Sequence, residues 1–303
     1  MREIGIPRAL YYFQYHALWR CFFESLGFRV VVSPPTNKQI LEWGLNACVD
    51  GACLAVKSMV GHSRALSEQG ITLLFVPKIV SVAPGEYTCA NFLGLPDLLR
   101  QYLPSSTTIL APTLDARKSL GALTQSYVRL GLPFASRGAV KRAWRAACQA
   151  QQTLEKSLQA TQPHRGRLRI LLLGPRYLID DAYLSNNLYS HLQTLGAELH
   201  TSAQVPETVA RELGKALDKP LFWSDTRRSV GALEHFIQRV DGVINVAPFG
   251  CGAESFASAL IARRCREKKV AMLDLIVDEH TSEVGIITRL EAFCDLLERK
   301  KSG

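Results

Sequence analysis

Three cysteines stand where their chemistry could be put to use. Cys53 lies in Val49-Asp-Gly-Ala-Cys-Leu-Ala-Val-Lys57, Cys89 in Gly85-Glu-Tyr-Thr-Cys-Ala-Asn91 and Cys251 in Ala247-Pro-Phe-Gly-Cys-Gly-Ala-Glu254. Each reads as the start of a helix, Cys251 directly after a strand. In open parallel sheets ligands gather beyond the carboxyl ends of the strands. Helix N-termini there present unpaired N–H groups and partial positive charge. Thiolates in such places would suit an iron–sulfur cluster, a net anion whose sulfurs accept those hydrogen bonds. Spacing alone leaves a shared metal site and three unrelated thiols both open. Zinc competes, although it prefers two closely spaced Cys pairs and only Cys48 with Cys53 approaches that form. Cys48 is thereby a candidate fourth ligand. Cys21, Cys148, Cys265 and Cys294 fall within helix bodies and read as packing residues.

Other groups near these thiols carry weaker signals. Glu254, three residues after Cys251, is a candidate oxygen ligand or proton donor, with helix-dipole compensation as its plainer role. His62 is a candidate donor to cluster or substrate, or a packed core histidine. Lys57, one turn beyond Cys53, either offsets cluster charge or is solvated. Asp278-Glu279-His280 follows a strand end and lines the crevice or caps a helix with Thr281 and Ser282; a Cys251–His280 nucleophilic pair lacks a third orienting residue. Gly250-Cys-Gly-Ala-Glu-Ser255 has the form G-x-G-x-x-S, and Asp274 lies on the next strand. That pattern approaches a dinucleotide fingerprint, so the alternative reading is a metal-free protein gripping a nucleotide or CoA at Gly250–Ser255. Gly250 and Gly252 would equally let backbone approach the sulfides of a cluster.

The elements that must position these residues alternate strand and helix almost throughout. Strands are expected at Glu3–Ile6, Phe28–Ser33, Ile71–Val76, Thr107–Ala111, Leu168–Leu173, Glu198–Thr201, Val243–Val246 and Val270–Leu275. Helices are expected over Leu10–Leu26, Lys38–Trp43, Ala52–Ser67, Thr88–Tyr102, Ala116–Leu130, Arg142–Ala160, Ala182–Leu195, Pro206–Leu217, Val230–Val240, Ser255–Cys265 and Glu283–Glu298. Apolar strands between helices argue for parallel sheets covered on both faces. The polar stretch Thr161–Arg167 marks a boundary between residues 1–160, carrying Cys53 and Cys89, and residues 167–303, carrying Cys251. The expected fold is α/β, with two doubly wound, Rossmann-like or flavodoxin-like parallel-sheet domains.

Composition narrows the classes. A chain of 303 residues with 47% hydrophobic and 21% charged residues is ordinary globular protein, not disordered or low-complexity. No apolar run reaches the roughly 20 residues of a membrane span, and the charged start reads as a strand, so a cytoplasmic protein is expected. Eight cysteines in that compartment are thiols or ligands rather than disulfides. The net charge of +9 is scattered, densest at Arg263–Lys269 and Glu298–Lys301. Without interleaved aromatics or a groove-reading motif, nucleic acid is disfavoured as partner. An acidic protein or a phosphate-bearing ligand such as CoA suits the charge as well.

Several motifs recur together: Ile4-Gly-Ile-Pro-Arg-Ala-Leu10, then Cys53…Lys57…Gly61-His62, Cys89…Gly94-Leu-Pro-Asp97, Phe249-Gly-Cys-Gly252, and Asp278-Glu-His-Thr281…Thr288-Arg-Leu-Glu-Ala-Phe293. In this order they resemble the 2-hydroxyacyl-CoA dehydratase superfamily, specifically the uncharacterised domain found with acyl-CoA dehydratase activases. The resemblance implies two Rossmann-like domains with a [4Fe-4S] or double-cubane cluster in the cleft between them, held by Cys53, Cys89 and Cys251. It implies reduction by an ATP-hydrolysing activase and transfer of low-potential electrons to an acyl-CoA, another small substrate or a partner, in a reductase or dehydratase component. Leu54 and Ala90 stand where the superfamily has proline after its first two cluster cysteines, and the chain is shorter than dehydratase subunits. Those departures bear on dehydration more than on cluster binding.

Overall fold

The computed structural model describes residues 2–161, 163–215 and 221–302. It divides into two units, Met1–Lys156 with Phe222–Ser224, and Ser157–Leu221 with Asp225–Gly303; the first division falls in the last turn of a long helix, ahead of the polar Thr161–Arg167 stretch.

In the first unit the order is β1 (Arg2–Ile6), α1 (Tyr12–Ser25), β2 (Phe28–Val32), α2 (Lys38–Ala47), α3 (Leu54–Glu68), β3 (Leu73–Phe75), β4 (Lys78–Ser81), α4 (Asn91–Tyr102), β5 (Thr108–Leu110), β6 (Thr113–Asp115), α5 (Leu120–Gly131) and α6 (Arg137–Ala160). The main sheet runs β2-β1-β3-β5, every pair parallel. Helix α1 lays Trp19, Phe22 and Phe23 onto it because these apolar positions recur at helical spacing, and Gly27 ends the turn at φ +83°. Phe23 and Trp19 meet Phe75 at ring-centroid distances of 4.9 and 5.2 Å. The Trp19 indole donates to the Tyr127 hydroxyl at 2.9 Å, satisfying both polar tips inside the core.

β4 and β6, which periodicity did not foresee, pair in parallel as a separate two-stranded sheet. Each follows a main-sheet strand across a two-residue break that ends in proline, Val76-Pro77 after β3 and Ala111-Pro112 after β5. Proline has no N–H to give a ladder and interrupts both strands at matching places. The arm they form carries the chain beyond the carboxyl edge of the main sheet, towards Cys89.

The second unit comprises β7 (Leu168–Leu173), α7 (Arg176–Ile179), α8 (Leu188–Thr194), β8 (Ala197–Thr201), α9 (Glu207–Leu213), α10 (Ser224–Phe236, all but its first residue), β9 (Gly242–Pro248), α11 (Gly252–Glu267), β10 (Ala271–Val277) and α12 (Glu283–Ser302). Its sheet is β10-β9-β7-β8, again all parallel. Counting main-sheet strands within each unit, both sheets have the flavodoxin-like order 2-1-3-4, so the molecule is α/β and doubly wound as expected.

Several helices differ from expectation: α6 begins at Arg137 rather than Arg142, and α7 lies where no helix was expected. Ala182–Leu195 is not one helix: Asn186 and Asn187 take left-handed φ values of 49° and 55°, and α8 starts only at Leu188. Helix α10 begins at Ser224, not Val230, because its polar first turns lack the apolar spacing that reveals a helix. Of the helix expected over Pro206–Leu217, residues 216 and 217 lie outside the described residues.

Candidate functional site

In the first unit the thiols are placed by two helices that touch almost backbone to backbone. A Cβ on Gly44 of α2 would sit 1.9 Å from the Lys57 carbonyl of α3, and one on Gly61 equally close to the Ile40 carbonyl. Between these helices run residues 48–53. Cys48 is the C-cap of α2, and Cys53 the N-cap of α3 with extended backbone and no capping bond from its side chain. The Cys53 carbonyl accepts from Val56 and Lys57 at 3.0 and 3.2 Å, which starts the helix at this residue. Lys57 is buried, not solvated, and its ammonium donates to the Asp50 carbonyl at 3.1 Å. A buried cation thus ties down the loop carrying both thiols. Burial pushes the Cys48 thiol up, opposed by Lys57 and reinforced by Cys53.

The Asn91 side-chain amide reaches the Cys53 sulfur at 3.9 Å, which brings Cys53 to the start of α4, two residues from Cys89. Cys89 is itself fixed by its neighbour: the Thr88 N–H donates to the Val80 carbonyl at 3.0 Å and its hydroxyl to the Ile79 carbonyl. Cys89 is therefore held beside β4 by the residue before it.

In the second unit the first and third main-sheet strands, β7 and β9, form the point where strand order reverses. Gly174 follows β7 with φ +145°, and a Cβ there would meet the Val246 carbonyl of β9 at 2.4 Å. Beyond β9, Gly250 turns the chain at φ +73°, and Cys251 becomes the N-cap of α11, again without a capping bond from its side chain. Added Cβ atoms at Gly250 and Gly252 would meet nothing within 4 Å, so the two glycines border open space. Glu254 is 5% exposed. Burial, with a contribution from Asp225 on α10, raises its carboxyl to about 8, so it holds a proton at neutral pH.

The other candidates are placed as follows. His62 is fully buried in α3, with Nδ1 2.9 Å from the Ser33 hydroxyl and Nε2 2.9 Å from that of Thr36. Burial and the nearby Arg8 push its imidazole down to about 3, so it is neutral and joins the end of β2 to α3. His280 is exposed in a loop built around Asp278, whose carboxylate accepts from the His280 N–H at 3.0 Å and the Thr281 hydroxyl at 2.8 Å; Ser282 then accepts from Gly285 at the start of α12. Asp274 lies in mid-strand on β10, where its carboxylate accepts from Asn245 at 2.8 Å and Ser258 at 3.2 Å. A ribose-binding carboxylate would sit at the strand's carboxyl end instead.

In the first unit the Cys53 thiol at the N-cap of α3 has a buried lysine one turn on and an amide donor beside it, surroundings that suit an anionic group. In the second unit, taken by itself, the Cys251 thiol at the N-cap of α11 stands beside the open space at Gly250 and Gly252. Among the described residues no three His, Cys, Asp or Glu side chains gather closely enough to hold a metal ion as they stand. Nor, among the described residues, is any helix long and apolar enough to cross a membrane. Sequence reasoning missed the Asn91 contact and the His62 clamp, both of which join residues far apart in the chain. It did single out Cys53 and His62 themselves as candidates.

The family described as "CoA enzyme activase uncharacterised domain" matches residues 3–205. No curated protein matches the chain. Among solved structures, one described as the crystal structure of ZnuA aligns with 98% of this chain and 97% of its own at 11% identity and a TM-score of 0.28. A likeness at that level carries no argument about function.

Proposed function

From the premise that the chain belongs to the CoA enzyme activase uncharacterised-domain family, we propose that it is an iron–sulfur component of an activase-dependent system. Cys53, Cys89 and Cys251 are the proposed ligands of a [4Fe-4S] cluster, a double cubane being the larger variant. Cys48 is the proposed fourth thiolate if the site is closed. Electrons would come from an ATP-hydrolysing activase and pass to an acyl-CoA, another small substrate or a partner. When bound, such a cluster supplies one-electron chemistry at low potential.

The observation that carries the reading is the environment of Cys53: a helix N-cap whose thiol makes no capping bond, with the Asn91 amide on its sulfur and buried Lys57 one turn away. A sulfur-ligated cluster is a net anion, and helix N-terminal N–H groups and a nearby cation both stabilise bound anions. Lys57 offsets negative charge while remaining tied to the Asp50 carbonyl. Glu254, protonated at neutral pH, holds a proton one turn from Cys251. An open site with three thiolates would leave an iron position for substrate, whereas four thiolates would fit electron transfer alone.

Anaerobically purified protein should be brown, with broad absorption into the visible and matching iron and sulfide content. Cys53→Ser, Cys89→Ser and Cys251→Ser should each bleach it, while Cys148→Ser on α6 should not. Full colour in all three single variants would refute the ligand assignment.

A further inference from the structure

Between Asp115 and Glu155 the chain holds seven basic residues and no acidic one, so this segment accounts for most of the net charge of +9. Five of the seven, Arg129, Arg137, Lys141, Arg142 and Arg145, are exposed on α5 and α6 and join no ion pair among the described residues. Arg137, Lys141 and Arg145 follow at four-residue intervals, which sets them in one stripe, roughly 6 Å apart along the helix. The two helices meet closely at the end of α5, where a Cβ on Gly131 would lie 2.6 Å from Val140. Val140, Ala143 and Ala147, on the other side of α6, are buried in the aromatic core. The apolar face is thus spent inside the protein and is not available to lie on a membrane.

Like charges at four-residue spacing repel and weaken a helix. A stripe kept at that cost is best accounted for by an anionic partner. Small-molecule sites are concave and mostly apolar, whereas this stripe is a row of exposed cations on one helix. This face also shows no exposed aromatic ring, the stacking platform typical of single-stranded nucleic acid sites. What it does show is Leu132, 46% exposed in the turn between Arg129 and Arg137. An apolar anchor within an arginine-rich rim is the composition of a protein interface.

We propose that the α5–α6 face docks an acidic surface of a partner protein, with Leu132 as its apolar contact and the stripe Arg137, Lys141 and Arg145 as its main charged contact. This is independent of whether a cluster is bound.

The test is fluorescence anisotropy of the full chain with a labelled, glutamate-rich amphipathic peptide bearing leucines on one face, beside a labelled single-stranded oligonucleotide. The peptide should bind, more weakly as salt rises. Reversal of the stripe (Arg137→Glu, Lys141→Glu, Arg145→Glu) should cost about tenfold or more in affinity, and Leu132→Ser about fivefold with unchanged salt dependence. Reversing three exposed cations of the second unit (Arg266→Glu, Arg299→Glu, Lys300→Glu) makes the same charge change and should cost less than about twofold. Absence of peptide binding, or equal losses in both triple variants, would overturn the proposal. So would tighter binding of the oligonucleotide through the same stripe. Should the stripe variant misfold by circular dichroism, the Leu132→Ser result decides.

Discussion

Two buried titratable residues give this protein opposed responses to pH. His62 is held neutral, pushed down to about 3 from an ordinary value of 6.5. The unfolded chain therefore binds a proton that the folded one refuses, so the stability from His62 is present above 6.5 and lost as pH falls towards 3. At about 1.4 kcal/mol per pH unit per linked proton, acidifying from about pH 7 to about pH 5 should cost about 2 kcal/mol. All four tryptophans, Trp19, Trp43, Trp144 and Trp223, lie in the first unit with His62, so their fluorescence during urea unfolding reads this loss. His62→Gln should remove it; an equal acid slope in wild type and variant would locate the titration elsewhere. Glu254 works the other way. Raised to about 8 from 4.5, it binds its proton more firmly in the folded state, and the stability it gives below 4.5 is lost as pH rises through 8. From about pH 5 to about pH 7.5 that loss is about 3 kcal/mol. Glu254→Gln should flatten this alkaline slope in unfolding followed by far-ultraviolet circular dichroism.

The critical joint at the scale of elements is that between α2 and α3, because it sets the loop bearing Cys48 and Cys53. Gly61→Ala would drive a Cβ into the Ile40 carbonyl, a backbone atom that has no rotamer to escape into. The expected cost is about 3 kcal/mol, from overpacking that the helices relieve only by separating, read as a lower urea midpoint in tryptophan fluorescence. Gly94→Ala in exposed α4, where an added Cβ meets nothing within 4 Å, should instead stabilise by about 0.5–1 kcal/mol. Elements of this kind were unevenly legible in the sequence. β7 is readable to the residue, since Leu168–Leu173 is a buried apolar run apart from exposed Arg169, and Gly174-Pro175 end it. β4 and β6 are short, and their Lys78, Ser81, Thr113 and Asp115 hide the apolar signal. The break at Asn186–Asn187 depends on left-handed backbone that spacing does not report. The same division holds at the site. Cysteines at helix starts follow from local pattern, whereas Asn91 on Cys53 and Ser33 on His62 are contacts across 38 and 29 residues that only the folded chain creates. Lys57 looked as much a surface lysine as a site one, because a helix position states its face only once its neighbour helix is known.

For the whole molecule, each unit has the strand order 2-1-3-4, and each carries cysteine at the end of the sheet where such folds bind ligands. The second unit sets Cys251 directly after the third strand of its sheet, while the first reaches Cys53 and Cys89 through a crossover helix and a proline-broken arm. Similar architecture thus supplies thiols by different routes, and the proposed function requires that one group engage all of them. That requirement has a thermodynamic consequence. A group bound only by folded protein stabilises it by an amount that grows with occupancy, about 2.7 kcal/mol at a hundredfold excess over the dissociation constant. Reconstitution with iron and sulfide should therefore raise the urea midpoint seen by the tryptophans, all of which lie in the first unit. If Cys251 shares the group with Cys53 and Cys89, Cys251→Ser should abolish that rise although it lies in the other unit, and should leave the midpoint of the metal-free protein unchanged. A full rise in the Cys251→Ser variant would mean that the first unit's thiols bind alone and that Cys251 is no ligand.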